Sequence, residues 1–352
     1  MSTRELALVG EVREWAGIGM GSDGKFRVDS SALKSGYKCT TAATLRYIWG
    51  LVSKSERANL LAGTALHKAI ETHLKGMGAT SLDESLRAFD SIYLEWASQN
   101  VAADDKLSWQ NTRLITQKWL EAHPNTEGVV AGFPFTISQV DHVEVGFEIP
   151  LTTAEDGTEI LLLGRLDVLG DYQGGYVVVD HKSTGFINQQ WFEQWPMDCS
   201  IDAYVWAARQ LLDKPVLGAF INGVQFSKLP SDGTRKCKDH GTKYSECGPM
   251  HAKWELAGLY ERNEAMLAGW KADADQMAQG LYKIYSLVGN DIDSYLDQLQ
   301  QEGKFTGECR WCEYKKAVCE IGRRAGVARA QLEFAPWNPL EHYGQPRSRM
   351  ID

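Results

Sequence analysis

The sequence predicts an α/β protein in which a short β core lies between helical flanks. Residues 39–123 repeat apolar side chains with helical spacing, and the segment GTALHKAIETHL at 63–74 is the clearest example. Three short β-branched segments follow at 143–151, 159–170 and 175–183, separated by the turn signals EDG and YQGG. Segments separated by turns this short favour a meander of consecutive strands.

The remaining elements follow from the same patterns. We predict a strand at 7–15, a long helix at 190–212, a strand at 216–226, helices at 250–279 and 291–301, and a last helix ending near residue 328. The chain of 352 residues then divides into six regions. These are a polar lead-in (1–30), a helical region with Cys39 and His67 (31–140), the core (141–226), a basic Cys/His loop (227–250), C-terminal helices with cysteines (251–330) and a tail (331–352).

The charge balance limits how the protein can bind nucleic acid. The formal net charge is -9, from 37 basic and 46 acidic residues, so the protein cannot bind nucleic acid by bulk charge alone. Any such binding needs local positive surface, or metal ions that screen the carboxylates.

No apolar run approaches the roughly 20 residues that cross a bilayer. The charged N-terminus lacks the apolar core of a signal peptide, so we expect a cytoplasmic protein without membrane contact. The sequence has no G-x4-G-K-[ST] motif, which argues against an ATP-driven motor.

The segment GRLDVLGDYQGGYVVVDHKS carries the clearest chemical pattern. Asp180 and Lys182 are two residues apart on a predicted strand, so they face the same side, and Asp167 can join them from a hairpin neighbour. Clustered carboxylates repel one another unless a cation lies between them, and oxygen ligands suit Mg²⁺ or Mn²⁺. A lysine beside such an ion can orient or deprotonate water and offset charge on a phosphorane. The alternative is that these are strand-end residues with a solvated lysine.

The order G-R-x-D, strand, turn, V-V-V-D-x-K resembles motifs II and III of the PD-(D/E)xK nucleases, specifically the RecB-like branch. GTALHKAIE resembles the branch's helical motif, in which a histidine binds metal, and this implies His67 as a ligand beside Asp167 and Asp180. The resemblance also implies a restriction-endonuclease-like central mixed β-sheet flanked by helices. It adds the main-chain carbonyl of His181 to the metal's shell and gives Lys182 the activation of water.

Two further residues match the branch less fully. Tyr204 matches the tyrosine of the Q-x-x-x-Y motif, but Ser200 stands where the glutamine belongs. Tyr204 is therefore a catalytic candidate, with simple packing as the alternative. Glu144 matches a glutamate that is often found on the preceding strand, and we predict a structural role for it.

The seven cysteines raise a second metal question. GECRWCEYKKAVCE gives C-x2-C-x6-C at Cys309, Cys312 and Cys319, and three thiolates need a fourth ligand to complete a tetrahedral zinc or a cubane cluster. The spacing leaves four candidates for this ligand, namely Cys39, Cys199, Cys237 and Cys247.

The resemblance implies the choice. Some RecB-like nucleases, including CRISPR-adaptation nucleases and AddB-type subunits, hold a [4Fe–4S] cluster with one cysteine upstream of the histidine motif and three near the C-terminus. By this resemblance Cys39, Cys309, Cys312 and Cys319 are the cluster ligands, and the cluster joins the N- and C-terminal parts of the chain. Zinc and unligated cysteines are the alternatives.

The loop at 227–250 holds a further group of possible ligands. Cys237, His240, Cys247 and His251 form C-x2-H-x6-C-x3-H, a spacing that matches no established zinc pattern. The loop's lysines make it a candidate DNA contact, and a solvated loop is the alternative. Whether a second metal binds here stays open at the level of sequence.

The expected function is a metal-dependent DNA nuclease, an exonuclease that acts on ends or single strands in recombination, repair or replication. Protein partners in those processes are expected, and the oligomeric state is not predicted. The alternatives are a CRISPR spacer-processing nuclease and a non-hydrolytic DNA-end-binding subunit on the same fold. The intact D…D-x-K pattern argues against the last of these.

Overall fold

The computed structural model describes residues 18–53, 58–230, 236–288, 307–310, 312–320, 331–334 and 337–339. A mixed sheet forms its centre. The strands of this sheet are β1 (Gly19–Met20), β2 (Phe26–Val28), β6 (Val143–Thr153), β7 (Glu159–Tyr172), β8 (Gly175–Thr184), β9 (Val216–Gln225) and β10 (Lys253–Glu261). Two short pairs stand apart, β3 (Leu51–Ser53) with β11 (Leu332–Phe334), and β4 (Asn125–Thr126) with β5 (Val129–Val130).

Strand β7 organises the sheet. Strand β6 runs antiparallel along one edge of β7. On the other edge, β8 pairs antiparallel with residues 168–172 and β2 pairs parallel with residues 160–162. Strand β9 is parallel to β8, and β10 is antiparallel to β9. The predicted meander β6–β7–β8 and the predicted mixed sheet flanked by helices are both confirmed.

Helices cover both faces of the sheet. One apolar core is built with α3 (Ala58–Lys75), α4 (Leu82–Asn100) and α5 (Trp109–Ala122), and the other with α1 (Ser30–Lys38), α7 (Cys199–Leu211) and α9 (Glu264–Val288). The short helices are α2 (Thr40–Ala43), α6 (Gln189–Glu193) and α8 (Tyr244–Cys247). In the part of the chain that is described, no helix is both long enough and apolar enough to cross a bilayer.

Three sequence predictions about these elements were wrong. The helix at 250–279 begins only at Glu264, because 253–261 pairs with β9 as β10 and polar and apolar residues alternate with the period of a strand at 253–256. The lead-in at 1–30 contributes β1 and β2 to the sheet, and Phe26 is fully buried. The helix at 190–212 is divided by a 3₁₀ turn that contains Pro196, which lacks the N–H a continuous helix needs. The elements predicted at 7–15 and 291–301, and the chain from 321 to 328, lie outside the described residues.

Candidate active site

Acidic side chains meet where β6, β7 and β8 lie side by side. The pairing register brings Glu144, Asp167 and Asp180 to the same level on these three strands. One ligand atom from each of His67, Glu144 and Asp167 lies within 4.8 Å of the others, and His67 Nδ1 is 3.5 Å from Asp167 Oδ2. Side chains that are distant in the sequence therefore converge at one place. This group contains His67 and Asp167, which the motif order predicts, and Glu144, whereas the predicted ligand Asp180 is not among the atoms that lie within 4.8 Å of one another. The predicted metal ligation stays a prediction.

Helix α3 brings His67 to this place. Leu66 and Ile70 are fully buried and fix the helix against the sheet, which leaves His67 at the edge of the packed surface. Gly63, one turn earlier, allows α3 to approach β8 closely, because a Cβ at this position would lie 2.7 Å from Ser183 Oγ. Gly63 and the buried apolar residues of α3 together fix how far His67 lies from the strands.

The three carboxylates differ in their electrostatics. Burial raises the pKa of Glu144 to about 8, and the Asp167 carboxylate adds to this effect. Burial and Asp167 also raise the pKa of Asp180, although Lys182 partly opposes them. The pKa of Asp167 is lowered, because the neighbouring His67, His181 and Lys182 together outweigh its burial. Repulsion among buried carboxylates of this kind is relieved by a bound cation.

Lys182 lies directly beside Asp180, as the D-x-K spacing predicts. Its Nζ donates a hydrogen bond to Asp180 Oδ1 at 2.9 Å, and its side chain is 36% exposed. Burial lowers the pKa of Lys182, but the Asp180 carboxylate outweighs it and raises the pKa above the ordinary value. The side chain is therefore a cation that reaches from a buried carboxylate toward solvent.

Tyr204 approaches the same pair from α7. The Ser30 hydroxyl donates to Tyr204 Oη at 3.3 Å, and burial, with a contribution from Asp180, raises the pKa of the phenol. Ser200, which replaces the expected glutamine, lies in the first turn of α7, and its N–H donates to Asp198 Oδ1 at 2.8 Å. A neutral tyrosine hydroxyl therefore remains beside the Asp180–Lys182 pair.

His181 contributes main chain to the site rather than its ring. Its N–H donates to Asp167 Oδ2 at 2.7 Å. Its Nδ1 accepts a hydrogen bond from Asn222 Nδ2 at 2.8 Å, and Trp119 Nε1 donates to Asn222 Oδ1 at 3.3 Å. Burial lowers the pKa of His181 to about 3, so the ring is neutral. The predicted role of the His181 carbonyl stays a prediction.

The sequence pattern predicted only a structural role for Glu144, and three nearby residues were not predicted at all: Arg165, Asn222 and Lys34. Glu144 has φ of 61° at the start of β6, a conformation that favours glycine, and its carboxylate forms an ion pair with Arg165. Arg165 is two residues before Asp167, so strand periodicity could have placed it on the same side. Asn222 gave no sequence signal. Lys34 gave none either, and it contacts Asp198 Oδ2 at 2.6 Å.

The predicted cluster cysteines lie on two segments that pack together. Cys39 lies between α1 and α2, whereas the three others lie in or beside the 3₁₀ helix Gly307–Arg310 and the π-helix Lys315–Cys319. Burial raises the pKa of Cys312, and the thiols of Cys39 and Cys309 add to this effect, so both are within electrostatic range of Cys312. These cysteines are not among the groups whose ligand atoms all lie within 4.8 Å of one another in the described part of the chain.

Further contacts hold these segments to each other. Strand β3 pairs with β11, and Tyr314 Oη donates to the Leu51 carbonyl at 2.6 Å. Lys38 and Glu308 form an ion pair at 3.1 Å. A separate apolar cluster that includes Leu45, Trp49 and Val318 fills the space between them. The N- and C-terminal parts are thus joined at the position of the cysteines.

A second group of ligands lies in the connection between β9 and β10. One ligand atom from each of its members lies within 4.8 Å of the others, and we call these four residues the Cys/His cluster: Cys237, His240, Cys247 and His251. Both thiols are buried, with 1% exposure each. The connection is therefore folded at these residues, while 231–235 lie outside the described chain.

Comparison with known proteins gives a family match. The sequence model of the PD-(D/E)XK nuclease superfamily matches residues 30–320. Among solved structures, one described as "Crystal structure of SSO0001" is 12% identical, covers 81% of this chain and 93% of that chain, and has a TM-score of 0.28. No curated protein sequence matches this chain.

Proposed function

The chain belongs to the PD-(D/E)XK nuclease superfamily, and we propose that it is a divalent-metal-dependent DNA exonuclease of the RecB-like branch. The observation that carries this proposal is the convergence of His67, Glu144 and Asp167 beside the Asp180–Lys182 pair. We further propose that it acts on DNA ends or single strands during recombination, repair or replication.

The donor set fits a hard cation. His67, Glu144 and Asp167, whose ligand atoms lie within 4.8 Å of one another, would hold Mg²⁺ or Mn²⁺ together with Asp180 from the neighbouring strand, through carboxylate oxygens and one imidazole nitrogen. Burial raises the pKa values of Glu144 and Asp180, and the Asp167 carboxylate raises both further, so a cation beside Asp167 would stabilise these side chains as anions. When bound, the ion polarises a phosphate oxygen and lowers the pKa of water.

The lysine supplies positive charge at the reacting phosphate. Because the pKa of Lys182 is raised, the side chain enters the reaction as an ammonium group. We assign it the orientation of the attacking water and the stabilisation of the charge that develops on the phosphate oxygens, rather than the removal of a proton. Asp180 fixes the ammonium group in position through the 2.9 Å hydrogen bond.

Neighbouring side chains position the ligands. Arg165 pairs with Glu144 and aims its carboxylate, while the His181 N–H fixes one oxygen of Asp167. Tyr204, with a neutral hydroxyl beside Lys182, can donate a hydrogen bond to a substrate phosphate. We class Arg165 as a positioning residue and Tyr204 as a candidate substrate contact.

Two lysines near the carboxylates provide candidate contacts for DNA phosphates. Lys34, whose side chain is 39% exposed, lies on α1, the helix that carries the Tyr204 partner Ser30. Together with Lys182 it provides cations that can contact DNA phosphates near the carboxylates. Both lysines are paired with aspartates, Lys34 with Asp198 and Lys182 with Asp180, so a bound metal ion would supply the rest of the positive charge that a protein of net charge -9 needs here.

We also propose that Cys39, Cys309, Cys312 and Cys319 hold a [4Fe–4S] cluster. The packing of the two cysteine-bearing segments and the proximity of Cys39 and Cys309 to Cys312 support this assignment. Thiolate ligands suit an iron–sulfur cluster, and zinc is the alternative. Anaerobically purified protein should be brown and contain iron and sulfide, whereas colourless protein with zinc lost from the Cys309→Ser variant would establish the zinc alternative.

The nuclease activity is tested on end-labelled single- and double-stranded DNA with Mg²⁺ or Mn²⁺. Wild-type protein should shorten linear DNA from an end and leave closed circular DNA intact. Lys182→Ala should lower the cleavage rate by about two to three orders of magnitude, since it removes a charge that stabilises the transition state. Lys214→Ala is the matched control, because Lys214 is exposed beside the opposite end of β8.

The outcomes separate the alternatives. Wild-type protein that binds DNA ends without cutting them would favour the scaffold role and contradict the proposal. Cleavage of circular DNA would contradict exonuclease action but keep the nuclease. Equal rates for Lys182→Ala and wild type would remove the catalytic role of Lys182.

A further inference from the structure

The Cys/His cluster is built on two tight backbone turns. Cys237 and His240 lie on the first, where the Cys237 N–H donates to the Thr242 carbonyl at 2.7 Å and the Gly241 N–H donates to the Cys237 carbonyl at 2.9 Å. An isolated bridge between residues 236 and 243 closes this turn. The Cys237 thiol and the His240 imidazole are therefore held on one turn by local hydrogen bonds of the backbone.

The second turn presents its ligands from helical backbone. Cys247 ends α8, and His251 ends the 3₁₀ helix Gly248–His251 that follows. Residues four apart in such a segment lie on one side of it, so both side chains face the first turn. The whole connection is anchored to α5, because Asn111 Nδ2 donates to the Ser227 carbonyl at 2.9 Å and Asn111 Oδ1 accepts from the Leu229 N–H at 3.1 Å.

The distances within the cluster match the edges of a zinc tetrahedron. Cys237 Sγ is 3.4 Å from His240 Nδ1 and 3.2 Å from His251 Nε2, and Cys247 Sγ is 3.7 Å from His251 Nε2. Zinc–sulfur bonds of about 2.3 Å and zinc–nitrogen bonds of about 2.0 Å place tetrahedral sulfur and nitrogen ligands about 3.5 Å apart. All three measured separations lie near this value.

Cys237 Sγ is at the centre of this arrangement. It lies at contact distance from two imidazole nitrogens, and one of these nitrogens, His251 Nε2, also lies at contact distance from Cys247 Sγ. A single cation between the four groups satisfies every one of these contacts at once.

We propose that Cys237, His240, Cys247 and His251 bind one Zn²⁺ ion with a structural role. Two thiolates and two imidazoles are the donor set that zinc prefers, and four protein ligands leave no open position for water or substrate. The site is distinct from the nuclease centre and from the proposed iron–sulfur cysteines, and it does not depend on either.

The proposed zinc ion holds the β9–β10 connection near the end of β8 that carries Asp180 and Lys182. Strand β9 is the parallel neighbour of β8, and its Gly223 is paired with Lys182, so the cluster follows the strand end that lies next to the nuclease centre. Lys236, Lys238 and Lys243 belong to the same connection. Zinc therefore holds a lysine-bearing element in place near the site where DNA is expected.

Metal analysis of protein purified without chelators tests the proposal. Wild type should contain about one zinc per chain, and the double variant Cys237→Ser, Cys247→Ser should lose it. Cys199→Ser is the matched control, because Cys199 is a half-buried free cysteine on α7, away from the cluster. Cys309→Ser should keep this zinc, which distinguishes it from zinc at the other cysteines.

A second measurement covers the case of a double variant that does not fold. Wild type stripped of zinc by a chelator should bind one Co²⁺ per chain with the visible d–d absorption of tetrahedral sulfur and nitrogen ligands. Stripping should also speed proteolysis within 226–252 while the far-UV circular dichroism stays nearly constant. Zinc-free wild type that takes up no cobalt would overturn the proposal, as would zinc that persists in a folded double variant.

Discussion

The acidic centre, which consists of His67, Glu144, Asp167 and Asp180, brings its ligands together in the opposite way to the Cys/His cluster. The acidic centre draws His67 from a helix and carboxylates from three neighbouring strands, so its geometry depends on the whole tertiary fold. The Cys/His cluster draws all its ligands from the single connection between β9 and β10. One site needs the sheet to form first, whereas the other can organise a loop locally.

The chemistry of the two sites follows this difference. Oxygen donors on a preformed sheet suit an ion that also contacts substrate, because Mg²⁺ keeps part of its coordination shell for water and phosphate. Sulfur and imidazole donors on short turns suit a zinc that closes its shell with protein ligands and contributes folding energy. A catalytic ion is expected to exchange freely, and a structural ion is expected to stay bound.

The sharpest test of this contrast is Asp167→Asn. This change keeps the shape of the side chain but removes the most strongly ionised carboxylate of the acidic centre. We expect the cleavage rate to fall by about three orders of magnitude, while the zinc content of the Cys/His cluster is unchanged. The measurement is a single-turnover rate paired with metal analysis, with the exposed Asp141→Asn as control. Loss of zinc together with activity would show that the two sites are not independent.

The affinity for Mg²⁺ should depend on pH through Glu144. Its raised pKa of about 8 means that the metal-free side chain is protonated at lower pH, and the ion must displace that proton. Affinity should therefore rise with pH by up to about tenfold per unit between roughly pH 6 and pH 8, and level off above. Calorimetric titration with Mg²⁺ in the absence of DNA measures this dependence. In Glu144→Gln the slope should become shallower, and an unchanged slope would show that Glu144 is not the titrating group.

The sequence predicted the acidic centre better than it predicted the cluster. Strand period placed Asp180 and Lys182 on one side, and the order of motifs, recognised by family resemblance, added His67. The sequence did not predict that the Glu144 side chain lies beside His67 and Asp167. This position depends on a left-handed backbone conformation that the local pattern does not encode. The role of Asn222 depends on which strand lies beside β8, and this is known only from the assembled sheet.

The ligands of the Cys/His cluster were visible in the sequence but were not interpretable there. C-x2-H-x6-C-x3-H gives spacing along the chain, whereas binding requires that two turns face each other. In the structure the bridge between residues 236 and 243 closes the first turn, and a hydrogen bond to α5 holds the connection in place. Together they allow the two turns to face each other. The strand β10 was misread as a helix for a related reason, since an edge strand is defined by the neighbour that it pairs with.

Asn222→Ala should lower the stability of the fold beneath the acidic centre. The residue is 1% exposed and bridges His181 Nδ1 and Trp119 Nε1, so the change leaves two buried polar groups without their partner. We expect the free energy of unfolding to fall by about 1–3 kcal/mol, measured by urea denaturation. The exposed Asn100→Ala serves as control. A loss no greater than that of the control would contradict the bridging role.

Tyr204→Phe should have the smallest effect, and its pattern separates substrate contact from packing. The phenyl ring preserves the packing of α7 and removes only the hydroxyl that accepts from Ser30 and lies near Lys182. A lost hydrogen bond to substrate phosphate corresponds to about 0.5–1.5 kcal/mol, or roughly a twofold to thirteenfold fall in kcat/KM. Steady-state kinetics on single-stranded DNA measure this change, and thermal denaturation checks that the fold is intact. Unchanged kcat/KM with a lower melting temperature would assign the hydroxyl to the fold, whereas reduced kcat/KM at constant stability places it at the substrate.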